Sequence, residues 1–138
     1  MGRQSVKATV DTNVLLRAVV CDDPEQAAIA KKVLADAEVI AVTVSSLCEF
    51  VWVLRSTYKF QSADITAAIR ALIATGKVST HRQSVEAGLA VLEAGGDFAD
   101  GVIAFEGQLL GGQTFVSFDR KAVSCLTRQG QSARYLGV

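Results

Sequence analysis

In Val39-Ile40-Ala41-Val42-Thr43-Val44-Ser45-Ser46-Leu47-Cys48-Glu49-Phe50-Val51-Trp52-Val53-Leu54 the spacing of the apolar residues changes midway. The first six residues are apolar or β-branched without interruption, the pattern of a strand buried on both faces. From Leu47 onward the apolar positions Leu47, Phe50, Val51 and Leu54 recur at three and four, so the spacing predicts a helix running to about Tyr58. Ser45 or Ser46 can cap its start. A buried strand that feeds a helix is the repeating half of a parallel β–α–β arrangement. Inside this helix stands Glu49, flanked by Leu47, Cys48, Phe50, Val51 and Trp52. The large side chains Phe50 and Trp52 read as core, and Cys48 as a buried free thiol. A carboxylate buried there without a partner is costly, and the nearest base, Arg55, is six residues away, so burial would make Glu49 need a partner, of which a metal ion is one efficient choice.

The same alternation extends outward. Toward the N-terminus, residues 25–37 read as a helix with Ile29, Val33 and Ala37 on one stripe, capped by Asp23 with Pro24 at its first position. Residues 6–10 read as a strand ending at Asp11. Toward the C-terminus, a helix over about 62–75 carries Ile65, Ile69, Leu72 and Ile73 and stops at Gly76. A short strand over 77–80 follows. The next helix, about 82–94, buries Val85, Leu89 and Leu92 and ends at Gly95-Gly96. Another opens at Asp97 with Phe98, Val102, Phe105 and Leu109 on its stripe and ends at Gly111-Gly112. Residues 114–118 form a strand that stops at Asp119, and Arg134-Tyr135-Leu136 adds a short last one. The pattern predicts an α/β fold with a parallel sheet covered on both faces, in one domain over residues 1–138.

Ligands of such sheets bind beyond the carboxyl ends of the strands. Asp11 and Asp119 each directly follow a strand. Glu49 lies one turn inside the helix after the second strand and shares a face with Ser45, four residues earlier. Asp100 sits in the first turn of the helix before the last long strand. Each has a plainer reading, as a turn residue, a cap or a dipole complement, and Asp97 reads first as an N-cap. Together the acids are a hard-oxygen set suited to Mg²⁺ or Mn²⁺ rather than Zn²⁺. Crowded without a cation they raise one another's pKa values. A divalent ion relieves that repulsion, activates water and clamps phosphate oxygens, so phosphodiester hydrolysis is the chemistry this set favours.

The remaining composition narrows the field. Three cysteines, Cys21, Cys48 and Cys125, are too few and scattered for a disulfide framework or a Cys-x-x-Cys clip. The one histidine, His81, has no acid at triad spacing and reads as structural. Phosphate-binding glycine loops of the Gly-x-x-x-x-Gly-Lys and Gly-x-Gly-x-x-Gly types are absent. No apolar run is long enough to cross a bilayer. The start Met1-Gly2-Arg3-Gln4-Ser5 passes into a strand without a secretory signal, which makes the cytoplasm the expected location. Net charge is zero, but residues 1–119 carry ten basic and fourteen acidic side chains and residues 120–138 four basic and none acidic. That asymmetry suits a basic rim beside an acidic centre, and a solvated basic tail is its commoner meaning.

Four blocks taken together resemble a PIN domain and, within that family, a VapC-type toxin of a bacterial type II toxin–antitoxin module. They are Val10-Asp11-Thr12-Asn13-Val14-Leu15-Leu16, Val42-Thr43-Val44-Ser45 leading to Glu49, Asp97-Phe98-Ala99-Asp100-Gly101-Val102-Ile103-Ala104, and Val116-Ser117-Phe118-Asp119-Arg120-Lys121. The resemblance implies a three-layer α/β/α sandwich around a central parallel sheet of four to five strands. It also implies a Mg²⁺- or Mn²⁺-dependent endoribonuclease acting on structured RNA, often transfer RNA. Asp11, Glu49, Asp100 and Asp119 then take metal-binding or catalytic roles, with Asp97 joining the acidic cluster. In this reading Asp11, Glu49 and Asp100 hold the principal ion and Asp119 with Asp97 a second. Thr12, Asn13 and Ser45 match positions that orient those acids through hydrogen bonds. The resemblance further implies a homodimer silenced by a cognate antitoxin, with DNA reached only through that antitoxin.

Arg17, Arg120 and Lys121 lie beside the motifs and are candidates to contact RNA phosphates. Gly101 stands where alanine is usual and should loosen its turn by up to about 1 kcal/mol. Two rivals remain open at this point. A haloacid-dehalogenase-like phosphatase would need a second Asp at position 13, where the chain has Asn13. A binding module that kept the fold and lost activity would be expected to lack at least one of the acids.

Overall fold

Val6 to Gly137 are the residues that the computed structural model describes; the expectation about Met1 to Ser5 lies outside them. Among them are five strands, and every pairing between strands is parallel. The chain divides into two compact units, Met1–Thr80 and His81–Val138.

In the first unit, β1 (Lys7–Thr9), β2 (Val39–Ala41) and β3 (Val78–Ser79) form a sheet in that order. The register sets Ala8 beside Ile40 and Ile40 beside Val78. Parallel neighbours need crossover connections. Here α1 (Thr12–Val20) and α2 (Pro24–Asp36) join β1 to β2, and α3 (Val44–Ser56) and α4 (Ser62–Ala74) join β2 to β3. The expected apolar stripe of α3 is the heart of this unit: Leu47, Phe50, Val51 and Leu54 are all buried. Each such side chain contributes about 1.5–3 kcal/mol on leaving water. Ile65, Ile69 and Ile73 do the same for α4, as expected.

In the second unit, β4 (Phe115–Ser117) pairs with β5 (Ala133–Tyr135), with α7 (Arg120–Arg128) between them in sequence. Before them, α5 (Arg82–Glu93) and α6 (Phe98–Leu109) pack closely on one another. Val91, Ala104, Cys125 and Leu126 form a buried cluster, with Phe115 and Ala133 against it. The α/β, PIN-like class expected from the sequence holds.

Several local expectations do not. Helix α1 was not anticipated, because Thr12-Asn13-Val14 and Val19-Val20 are weak helix formers. It forms because Asp11 caps it, accepting from the Val14 amide at 3.1 Å, and because Leu15 and Leu16 are buried. In α2 the cap Asp23 and Pro24 stand as expected, but the buried face is Ala27 and Ala30. Ile29 is 59% exposed and Val33 is exposed as well. Small alanines allow α2 to approach α1 closely, and an apolar count weighted by side-chain size misses that. Helix α3 starts at Val44, capped by the Thr43 hydroxyl, which accepts from the Ser46 amide at 3.1 Å, rather than by Ser45 or Ser46. Trp52 is 65% exposed rather than core. Cys48 is only partly buried, and Cys125 is the buried thiol. The basic C-terminal segment is no loose tail: Ala122, Val123, Cys125 and Leu126 form the buried face of α7, with the charges on its outside.

Candidate functional site

Three carboxylates in the second unit act on one another electrically. Asp97 caps α6 by accepting from the Ala99 amide at 3.1 Å. Asp119 caps α7, its Oδ1 accepting from Lys121 N at 3.0 Å and Ala122 N at 3.1 Å. Asp100, in the first turn of α6, is half-buried. Burial first, and then the negative charges of Asp97 and Asp119, push its carboxyl up from 3.8 to about 6. Capping fixes the two outer acids because each satisfies orphan amides at a helix start.

One residue missed by the sequence reading helps to aim Asp119. The Ser117 hydroxyl accepts the Asp119 backbone N–H at 2.9 Å, the local turn that serine favours two residues before its partner. A hydroxyl two residues before a strand-ending acid is the signal that could have found it. Elsewhere in this unit His81 has the structural role expected. It caps α5, its Nδ1 accepting from Ser84 N at 3.3 Å. The buried Ser84 hydroxyl lies 2.7 Å from that nitrogen and donates to Glu106 at 2.9 Å, which ties α5 to α6.

The first unit carries the other two acids. Asp11 is exposed at the start of α1 and lines an open groove of about 590 Å³ with Asn13, Arg17, Ile29 and Val33. Glu49 lies on the exposed side of α3. The expectation that burial makes it need a cation is therefore corrected: Leu47, Phe50 and Val51 are buried on a different face, while Trp52, three residues on, shares the exposed one. Half-burial falls on Asp100 instead. Thr12 is buried, and its hydroxyl donates to the Ser46 carbonyl at 3.4 Å, tying α1 to α3 rather than holding a carboxylate. Asn13 and Ser45 are exposed. Arg17 is bound to Asp22 at 3.0 Å. The Tyr58 hydroxyl, donating to Asp22 at 3.0 Å, and then the Arg17 charge hold that carboxyl below its usual range. Arg120 lies over the Tyr135 ring, 4.5 Å from its centroid.

Among the described residues no three His, Cys, Asp or Glu side chains stand close enough to grip a metal ion as they are. The chemistry of the acids nonetheless fits a hard divalent cation. They offer oxygen donors only, and after burial the next causes that raise the Asp100 carboxyl are the charges of Asp97 and Asp119, a repulsion that such a cation would offset.

That strain has a measurable sign. A carboxyl whose pKa is raised by folding stabilises the protein below the unfolded value near 4, and this contribution is lost as pH rises through about 6. Because Asp100 is only half-buried, solvent screening reduces the effect to about 1 kcal/mol. In metal-free buffer at pH 8, Asp100→Asn should therefore melt roughly 3 °C above the parent. The gap should close near pH 4. Equal melting temperatures at both pH values would show that Asp100 carries no such strain.

No helix among the described residues is long and apolar enough to cross a membrane. No curated protein matches the chain significantly. The PIN domain profile matches residues 8–124, a span that takes in Asp11, Glu49, Asp97, Asp100 and Asp119. PIN domains are generally nucleases that act on RNA or other nucleic acids and typically use divalent metal ions. The chain belongs to the PIN domain family.

Proposed function

We propose that residues 1–138 act as one Mg²⁺- or Mn²⁺-dependent endoribonuclease domain, the toxin of a bacterial type II toxin–antitoxin module. The observation that carries the reading is the set Asp97, Asp100 and Asp119, whose central carboxyl is pushed up to about 6 by burial and by its neighbours. Ordinary surface carboxylates do not gather at that cost, and a site that is to receive a cation does. With Asp11 and Glu49 the chain offers five acids, all within the matched span.

In this reading Asp11, Glu49, Asp97, Asp100 and Asp119 supply the oxygens that hold divalent cations. A bound ion would acidify water and neutralise charge on phosphate oxygens. The protein's own part is orientation. The caps at Asp11, Asp97 and Asp119 fix three carboxylates against their helix starts, and Ser117 holds the turn ahead of Asp119. Thr12, Asn13 and Ser45 would support the acids of the first unit, Thr12 through its tie to α3. The chain would work in the cytoplasm as a homodimer. A cognate antitoxin would silence it and provide its only link to DNA.

The test is direct. End-labelled RNA incubated with the purified chain should be cut in Mg²⁺ or Mn²⁺ and left intact in EDTA, with cutting restored by added metal. The products should carry 5′-phosphate and 3′-hydroxyl ends. Undiminished cleavage in EDTA, or 2′,3′-cyclic phosphate ends, would overturn the metal-dependent reading. Induced expression should arrest growth, and co-expression of the small protein encoded beside the gene should relieve the arrest. Normal growth under induction would remove the toxin assignment and leave the nuclease assignment standing.

A further inference from the structure

The edge where β4 and β5 end presents side chains that the acidic chemistry does not use. Phe118, between the end of β4 and Asp119, is 75% exposed. Single exposed apolar side chains are common; this one is set apart by the acid and the cation at the next two positions, Asp119 and Arg120. The backbone around it is held: Leu136 N donates to Ser117 O at 2.8 Å, and Asp119 N donates to the Ser117 hydroxyl. Next to the same acid, Arg120 spreads its guanidinium over the Tyr135 ring at 4.5 Å. Tyr135 pairs in register with Ser117, and the exposed Arg134 pairs with Val116, so the strand ends bring these groups to one edge. The segment from Arg120 onward holds Arg120, Lys121, Arg128 and Arg134 and no acid.

We propose that Phe118 and the Arg120–Tyr135 pair form a stacking platform that takes an unpaired RNA base beside Asp119. The inference rests on the nuclease reading and adds the part of the substrate this edge would grip. Single-stranded nucleic acid is held by a positive track along its phosphates and by aromatic faces under its bases. Both occur here within three residues of sequence. The aromatic under Arg120 keeps the guanidinium flat and in place, where it can meet a phosphate or continue the stack. Tyr135 is thus a positioning residue, acting through Arg120. The basic side chains suit a phosphate-bearing partner, and an exposed ring beside a cation suits a flat base.

The test measures binding and melting separately, in an Asp11→Asn background that keeps the strand whole. A fluorescent single-stranded RNA should bind Phe118→Leu about tenfold or more weakly, and Phe118→Trp as well as the parent. A fully paired hairpin should show no such loss. Arg120→Ala should lower the slope of log affinity against log salt by about one, and Tyr135→Leu should weaken single-strand binding while Tyr135→Phe does not. All Phe118 variants should melt with the parent, since the ring is open to water. Parent-like RNA binding by Phe118→Leu would overturn the platform and leave the nuclease reading intact. Failure of the chain itself to bind any RNA would overturn both. A lower melting temperature, or a changed sedimentation behaviour with unchanged RNA affinity, would show that the ring packs against protein instead and would also end the proposal.

Discussion

Asp11→Asn is expected to lower RNA cleavage by on the order of a hundredfold or more while leaving the melting temperature within about one degree of the parent. The two halves of that outcome come from different atoms. The helix start needs only an oxygen to accept the Val14 amide, which Asp11 Oδ1 does at 3.1 Å. An asparagine carbonyl does it equally well, because the two residues rank together as N-caps. The negative charge is what a divalent cation needs, and the amide lacks it. Loss of groups that merely support metal ligands already costs about 10–100-fold, so loss of a ligand should cost at least as much. Asp11→Ala would confuse the result by removing the cap as well, at about 1 kcal/mol. The same logic separates roles at Asp119, whose cap to Lys121 and Ala122 an amide can keep. It also decides Asp97. Cleavage by Asp97→Asn at the parent's rate would make Asp97 a cap and an electrostatic neighbour of Asp100, whereas a large loss would make it a ligand. Parent-like cleavage by Asp11→Asn, Asp100→Asn and Asp119→Asn together would remove the carboxylate mechanism.

How far the sequence foretold this is best judged residue by residue. The alternation of strands and helices was legible because it is written in long-range spacing. The stripes Leu47/Phe50/Val51/Leu54 and Ile65/Ile69/Ile73 are buried where their spacing placed them. Capping was legible at Asp23 and Asp97, since short acids before apolar runs have one dominant local use. What escaped was exposure. Glu49 and Trp52 sit among apolar neighbours in sequence, yet a helix turns about 100° per residue and shows them to water. Helix α1 escaped because Thr12, Asn13 and its valines are weak helix formers, and α1 and α7 alike are held by buried faces, Leu15 and Leu16 in one and Ala122, Val123, Cys125 and Leu126 in the other. The raised pKa of Asp100 escaped because it depends first on burial, and then on the charges of Asp97 and of Asp119, nineteen residues away in sequence. The acids themselves were legible as a set of types, and which of them would be half-buried was not.

Gly101→Ala is expected to destabilise the chain by about 1–3 kcal/mol, a fall of roughly 3–10 °C in melting temperature. Helix propensity alone says the opposite, since alanine inside a helix is better than glycine by about 1 kcal/mol. The loosening expected of Gly101 from the sequence is outweighed by packing. A Cβ at position 101 would meet the Ala87 carbonyl oxygen, Val91 Cγ2 at 2.8 Å and Gly88 Cα at 3.0 Å. Two of those are backbone atoms of α5 and cannot rotate away. Gly88 has the matching constraint, for its Cβ would lie 2.6 Å and 2.7 Å from carbons of the fully buried Phe98 ring. The two glycines thus let α5 and α6 approach backbone to backbone, and a methyl group at either must push the helices apart. Gly88→Ala should be partly rescued by Phe98→Leu, which shortens the side chain it strikes, so the pair should be less harmful than the two separate losses added. Gly101→Ala has no such side chain to trim, and displacement of α6 carries Asp100, the preceding residue, with it. Cleavage should therefore fall along with stability, and should stay low at temperatures where the variant is fully folded, because a shift of about 1 Å in a reacting group can cost on the order of a hundredfold. A variant that melts at or above the parent's temperature would mean that the helices separate freely and that glycine at this contact is incidental.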